Sequence, residues 1–73
     1  MATATIHCNT EALNAEMTLY RWTNQQLALH AGVSKATVGL LRSGHRKTTS
    51  PATAAAIEKA LRVNAGDIFR RAT

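Results

Sequence analysis

The sequence predicts an all-α fold of five short helices. Apolar residues recur at helical spacing, as in Leu13, Met17 and Tyr20, or Ala54, Ile57, Ala60 and Leu61, rather than in the alternation of a strand. Capping residues and glycines divide the chain into short pieces. Alanine, leucine and valine dominate the apolar content, and the aromatic residues are Tyr20, Trp22 and Phe69, which suits closely packed short helices better than a sheet. Seventy-three residues make one domain near the lower size limit for independent folding. A core that small leaves little room for a substrate cleft.

Residues 1–9 are rich in Ala and Thr, with Ile6 as the one large aliphatic residue, and read as an N-terminal arm, either loose or extended with Ile6 packed on the body. The arm carries no Lys or Arg. His7 and Cys8 are adjacent but lack partners at ligand spacing, so no metal site is predicted. Cys8 is the only cysteine, which excludes an intrachain disulfide. The domain proper is placed at residues 10–70. Its first helix starts on Asn9 or Thr10 as cap and runs to about Tyr20, with Leu13, Met17 and Tyr20 inward. Arg21 follows, where a cation either complements the helix dipole or reaches a phosphate.

The stretch Thr23–Ser43 organises the chain. Thr23 and Gln26 have the spacing of a capping box, and Trp22 and Leu27 that of a hydrophobic staple. Leu27, Ala28 and Ala31 share one face. Gly32 follows at once and permits a left-handed turn, with Val33 to plug the corner. Ser34 caps the next helix, whose buried side is Val38 and Leu41. Ala28 is small where two steeply crossed helices must approach closely. Ser43-Gly44 ends this helix, and a polar loop, His45–Ser50, leads to a fourth that opens on Ser50-Pro51 and runs to about Arg62. Val63 anchors a turn. Asn64 and Asp67 form a weaker capping signal for a fifth helix that brings Ile68 and Phe69 to the core. Residues 71–73 are a basic tail.

Nine basic and four acidic residues give a formal charge of +5. No acid lies between Met17 and Ile57, whereas Arg21, Lys35, Arg42, Arg46 and Lys47 do. A field of one sign over the turn and its second helix is the footprint of a polyanion-binding face.

These residues resemble the helix-turn-helix of the Cro and lambda-repressor family of phage and bacterial DNA-binding regulators. The resemblance rests on Leu27-Ala28, Gly32-Val33-Ser34, Val38 and Leu41 with the following Gly44-His45-Arg46-Lys47, and extends from about Leu13 to Phe69. It implies a small lambda-repressor-like domain whose partner is double-stranded DNA, with a recognition helix at about 34–43 in the major groove. Asn24 stands where the family often has glutamine, Arg42 where many relatives are acidic, and Arg62 where a glycine often ends the fourth helix.

On that reading Lys35, Ala36, Thr37, Gly39, Leu40 and Arg42 are the candidate base readers. Lys35 can donate to guanine, Thr37 can bond a base or a phosphate, and Ala36 can meet a thymine methyl. Gly39 inside a helix costs about 1 kcal/mol relative to alanine, which suggests close approach to DNA or to another helix. Thr23, Asn24 and Gln25 begin a helix with free N–H groups suited to a phosphate. They join Ser34, Ser43, His45, Arg46 and Lys47 as candidate backbone contacts.

The four acids are spread thinly, with no histidine at productive spacing, so neither a catalytic residue nor a cofactor is predicted. The N-terminus carries no signal-peptide pattern, and no apolar run reaches membrane-spanning length, so a cytosolic location (bacterial, or that of a phage host) and no membrane partner are expected. The expected function is sequence-specific DNA binding by a transcriptional regulator, with a weak homodimer on DNA. Two alternatives stand beside it: a protein-interaction module of antitoxin type, and an architectural accessory factor in recombination.

Overall fold

A computed structural model describes residues 6–64 and 66–71. Four helices and three short strands follow in the order β1 (Ile6–Cys8), α1 (Thr10–Leu19), α2 (Asn24–Ala31), α3 (Lys35–Ser43), β2 (Thr48–Thr49), α4 (Pro51–Leu61) and β3 (Phe69–Arg71).

Each helix starts on the side chain expected to cap it. Asn9, Ser34 and Ser50 accept from the backbone N–H three residues on, in Ala12, Thr37 and Thr53. At α2 the capping box is complete: Gln26 N–H donates to Thr23 Oγ1 at 3.0 Å, and Thr23 N–H to Gln26 Oε1 at 3.1 Å. Three helices also stop alike. Arg21, Gly32 and Arg62 take left-handed φ of 57°, 71° and 59°. The next residue in each case, Trp22, Val33 or Val63, donates its N–H back to a carbonyl five residues earlier and packs half-buried on the core. Gly32 meets this requirement freely; the two arginines carry a Cβ into it.

Leu13, Met17, Leu27, Val38, Leu41 and Ile57 are fully enclosed, and Ala28 and Ala54 are buried among them. Ala28 thus belongs to the packed core, as its place in α2 predicts. Tyr20, expected inward, is exposed, because α1 ends at Leu19 and the chain turns away at Arg21.

Two expectations are corrected. The fold is not wholly helical, and no fifth helix occurs among the described residues. Asn64 and Asp67 do bond reciprocally, Asn64 N–H to Asp67 Oδ2 and Asp67 N–H to Asn64 O, both at 3.1 Å. They close a turn, however, containing Gly66 at φ 92°, and Ile68 and Phe69 enter β3 instead. The polar loop after α3 contains β2. β1 lies between the other two strands, antiparallel to both, with Ile6 opposite Thr49 and Cys8 opposite Phe69. Ile6 and Cys8 face the core and His7 faces out, so the adjacent His7 and Cys8 side chains lie on opposite sides of the strand. The end of the segment expected as an N-terminal arm is therefore the middle strand of the sheet. Arg71, placed in the tail, ends β3, and residues 1–5, 72 and 73 lie outside the described residues. Among the described residues no helix is long and apolar enough to cross a membrane.

Candidate nucleic-acid interface

α3 presents its outer side through Lys35, Ala36, Leu40 and Ser43, all exposed, while Val38 and Leu41 are buried beneath. These exposed positions form one helical stripe. Ser34 closes its start: its hydroxyl accepts from Thr37 N–H at 3.0 Å and shares a 2.7 Å hydrogen bond with Thr37 Oγ1. Thr37 is half-buried, and its hydroxyl belongs to the cap. Leu40 is 37% exposed, enough for contact with a ligand or a second subunit.

The last carbonyls of a helix have no intrahelical partner. In α3 they are satisfied from several directions. Thr10 Oγ1 donates to Leu41 O at 3.3 Å and Asn14 Nδ2 to Arg42 O at 2.9 Å, both from α1. Ser43 Oγ and Arg46 N–H both donate to Leu40 O, at 3.1 Å each. His45 is tied to the same corner, its Nδ1 lying 2.8 Å from Ser43 Oγ. The two bonds from α1 tie the end of α3 to that helix.

Arg42 is placed otherwise than on the outer stripe. It is half-buried, and its Nε–H donates to Asn14 Oδ1 and its Nη1 to Asn24 Oδ1, each at 2.7 Å. One side chain of α3 thus joins α1 to the first residue of α2. Asn14 was not singled out in the sequence. Its signal was present: asparagine is a poor interior helix residue, so one beside Leu13 asks for a polar partner. Gly39 lies beside the same junction, and a Cβ built there would meet only Asn24 Nδ2, at an ordinary 3.6 Å.

Exposed Thr23 and Gln25 flank half-buried Asn24 at the start of α2. The capping box uses Gln26 N–H and Thr23 N–H, leaving the N–H groups of Asn24 and Gln25 without a bond among the described residues. Such groups suit an oxyanion. Arg46 and Lys47 are exposed beyond α3, although Lys47 O is used by the sheet, accepting from Cys8 N–H at 2.8 Å. The base-reading candidates therefore divide into an outward set (Lys35, Ala36, Leu40), Thr37 bonded into the cap of its own helix, and Gly39 and Arg42 at the junction with neighbouring helices.

Away from this face, Trp22 meets the His30 ring edge-on at a centroid distance of 5.2 Å. The two line a shallow 460 Å³ hollow with Tyr20, Glu16 and the end of α4.

A helix-turn-helix family model matches residues 14–68. The comparisons with curated proteins and with solved structures return no match. The matched span contains both helices of the motif, the turn at Gly32, and α4, and the chain belongs to the helix-turn-helix DNA-binding family of the Cro and lambda-repressor type.

Proposed function

We propose that the protein is a sequence-specific transcriptional regulator, a small repressor or Cro-like protein of phage or bacterial origin, that lays α3 in the major groove of B-DNA. The observation that carries this is the outward stripe of α3, with Lys35 at its start, set beside the free N–H groups of α2 in a stretch without acids. A helix of this size fits the groove, and residues near its start face base edges. Lys35 reads a guanine, Ala36 and Leu40 meet thymine methyls or exclude water, and Gly39 lets the backbone come close. Thr23, Asn24, Gln25, Ser34, Ser43, His45, Arg46 and Lys47 position the domain on phosphates. Two copies meet on a palindromic site with half-sites about one helical turn apart.

Selection of bound sequences from a random DNA pool tests the reading, followed by two substitutions. Lys47→Ala should weaken binding equally on all sequences and lower the salt dependence by about one counterion, a slope change of about 0.9. Lys35→Ala should cost about 1–3 kcal/mol on the selected site and relax preference at one base pair. An equal loss across single-base variants for both proteins would remove Lys35 from the readers. Failure to enrich any sequence would sink the proposal.

A further inference from the structure

We infer that Arg42 is a positioning residue for DNA binding: it fixes the Asn24 side chain with its oxygen inward and its NH2 outward, aimed at a backbone phosphate. The inference rests on the reading of α2 and α3 as the DNA face.

The chemistry of the donors settles the orientation. A guanidinium has five N–H donors and no acceptor, so an amide bonded to it must present oxygen. Arg42 Nη1 lies 2.7 Å from Asn24, whose Oδ1 is thereby committed to the protein. The opposite end of that amide is then NH2, a donor only, lying over Gly39 at the junction of α2 and α3. No side chain intrudes from Gly39, so the amide can sit close to α3. Arg42 is itself held at its other end. Its Nε–H donates to Asn14 Oδ1 at 2.7 Å, and Asn14 Nδ2 donates to Arg42 O at 2.9 Å, so Asn14 grips both the side chain and the backbone of Arg42. Both partners of the guanidinium are neutral amides, so its positive charge is not cancelled by them. The result is a donor held rigid before DNA arrives, beside two free backbone N–H groups and a cation, all of which favour a phosphate oxygen.

Affinity for the selected DNA site, measured over a series of salt concentrations, should be compared for the wild type, Asn24→Ala, Arg42→Met and the double variant, with thermal unfolding alongside. Each single substitution is expected to weaken binding on the order of tenfold, the worth of one charge-assisted hydrogen bond. The double variant should be no weaker than the weaker single one, because both remove the same contact. Arg42→Met should lower the salt slope by well under one counterion, because the guanidinium does not itself touch the phosphate. A slope lower by about 0.9 with additive losses would mean that Arg42 touches a phosphate directly, which overturns the positioning role. Asn24→Asp separates fold from function. It keeps an acceptor for Arg42 and places a negative charge at a helix start, so the unfolding temperature should be at or above the wild-type value. Its outward group can no longer donate, and binding should fall further than in Asn24→Ala. Wild-type-like affinity for Asn24→Asp overturns the inference while leaving the DNA-binding reading intact. A wild-type chain that selects no DNA overturns that reading itself.

Discussion

Arg62 occupies a left-handed position, φ 59°, where glycine is the unstrained choice. A non-glycine residue there costs about 1 kcal/mol, so Arg62→Gly should raise the unfolding temperature, whereas Gly32→Ala should lower it. Gly39 poses the opposite case. It lies inside α3, and a Cβ would meet only one amide nitrogen at 3.6 Å. Gly39→Ala should therefore stabilise by about 0.5–1 kcal/mol in denaturant unfolding. If DNA needs the bare backbone, the same variant should bind its site more weakly, and a variant that gains both stability and affinity would leave the glycine without a role. Burial pushes the Cys8 thiol up from 9.0 to about 11. Above pH 9 the unfolded chain then loses this proton while the folded chain keeps it, so folding stability falls as pH rises from 9 towards 11. The stability difference between wild type and Cys8→Ala should shrink over that interval, which unfolding curves at stepped pH would reveal. Capping residues, turn glycine and core positions were legible because they act over three to five residues. Arg42 was not: its expectation as a base reader, like Lys35, takes no account of Asn14, 28 positions away in the chain, or Asn24, 18 away.

The helices were readable and the strands were not, for one physical reason. A helix closes its bonds locally, so its signals are contiguous: Thr23 with Gln26, Ser50 with Pro51, Val38 with Leu41. β2 has two residues and β1 and β3 three each, too few for alternation to register. Ile68 and Phe69 looked equally suited to the apolar side of a fifth helix. What decides their state is β1, whose backbone groups need partners that only distant segments supply. Asn9 N–H donating to Ile68 O at 2.7 Å shows how close that pairing is. Truncation of Ile6 to alanine at the core face of this middle strand should cost about 2–5 kcal/mol, as for other buried aliphatic deletions. A loss below 1 kcal/mol on unfolding would mean that the sheet is an accessory. On the helical side, Ala28→Leu should overpack the crossing of α2 on its neighbours and cost about 1–3 kcal/mol.

The basic, acid-free centre and the small size of the chain shape its behaviour in solution. Few large apolar residues are left outside among the described residues: Leu19, Tyr20 and Leu29 are well exposed, and Leu40 at 37% sits on the proposed DNA stripe. Phe69 is buried in β3 at 4% exposure and offers no surface to a second copy. Free protein at micromolar concentration should therefore sediment as a monomer or weak dimer, and tighten into a pair only on a two-half-site duplex. A stable dimer without DNA would show that another face is used.

The middle strand of the sheet has a consequence for the order of events in the cell. β1 precedes the helices in the chain, and the strand that flanks it, β3, comes after α4, with Ile6 paired to Arg71. Synthesis runs from the N-terminus, so α1, α2 and α3 can be complete while β1 still has one flank open. A ribosome halted before Phe69 would leave Ile6 and Cys8 on an unpaired edge, the kind of surface that templates aggregation. α2 and α3, the proposed DNA-reading helices, are thus made early, but the body that steadies them is sealed only once β3 has followed.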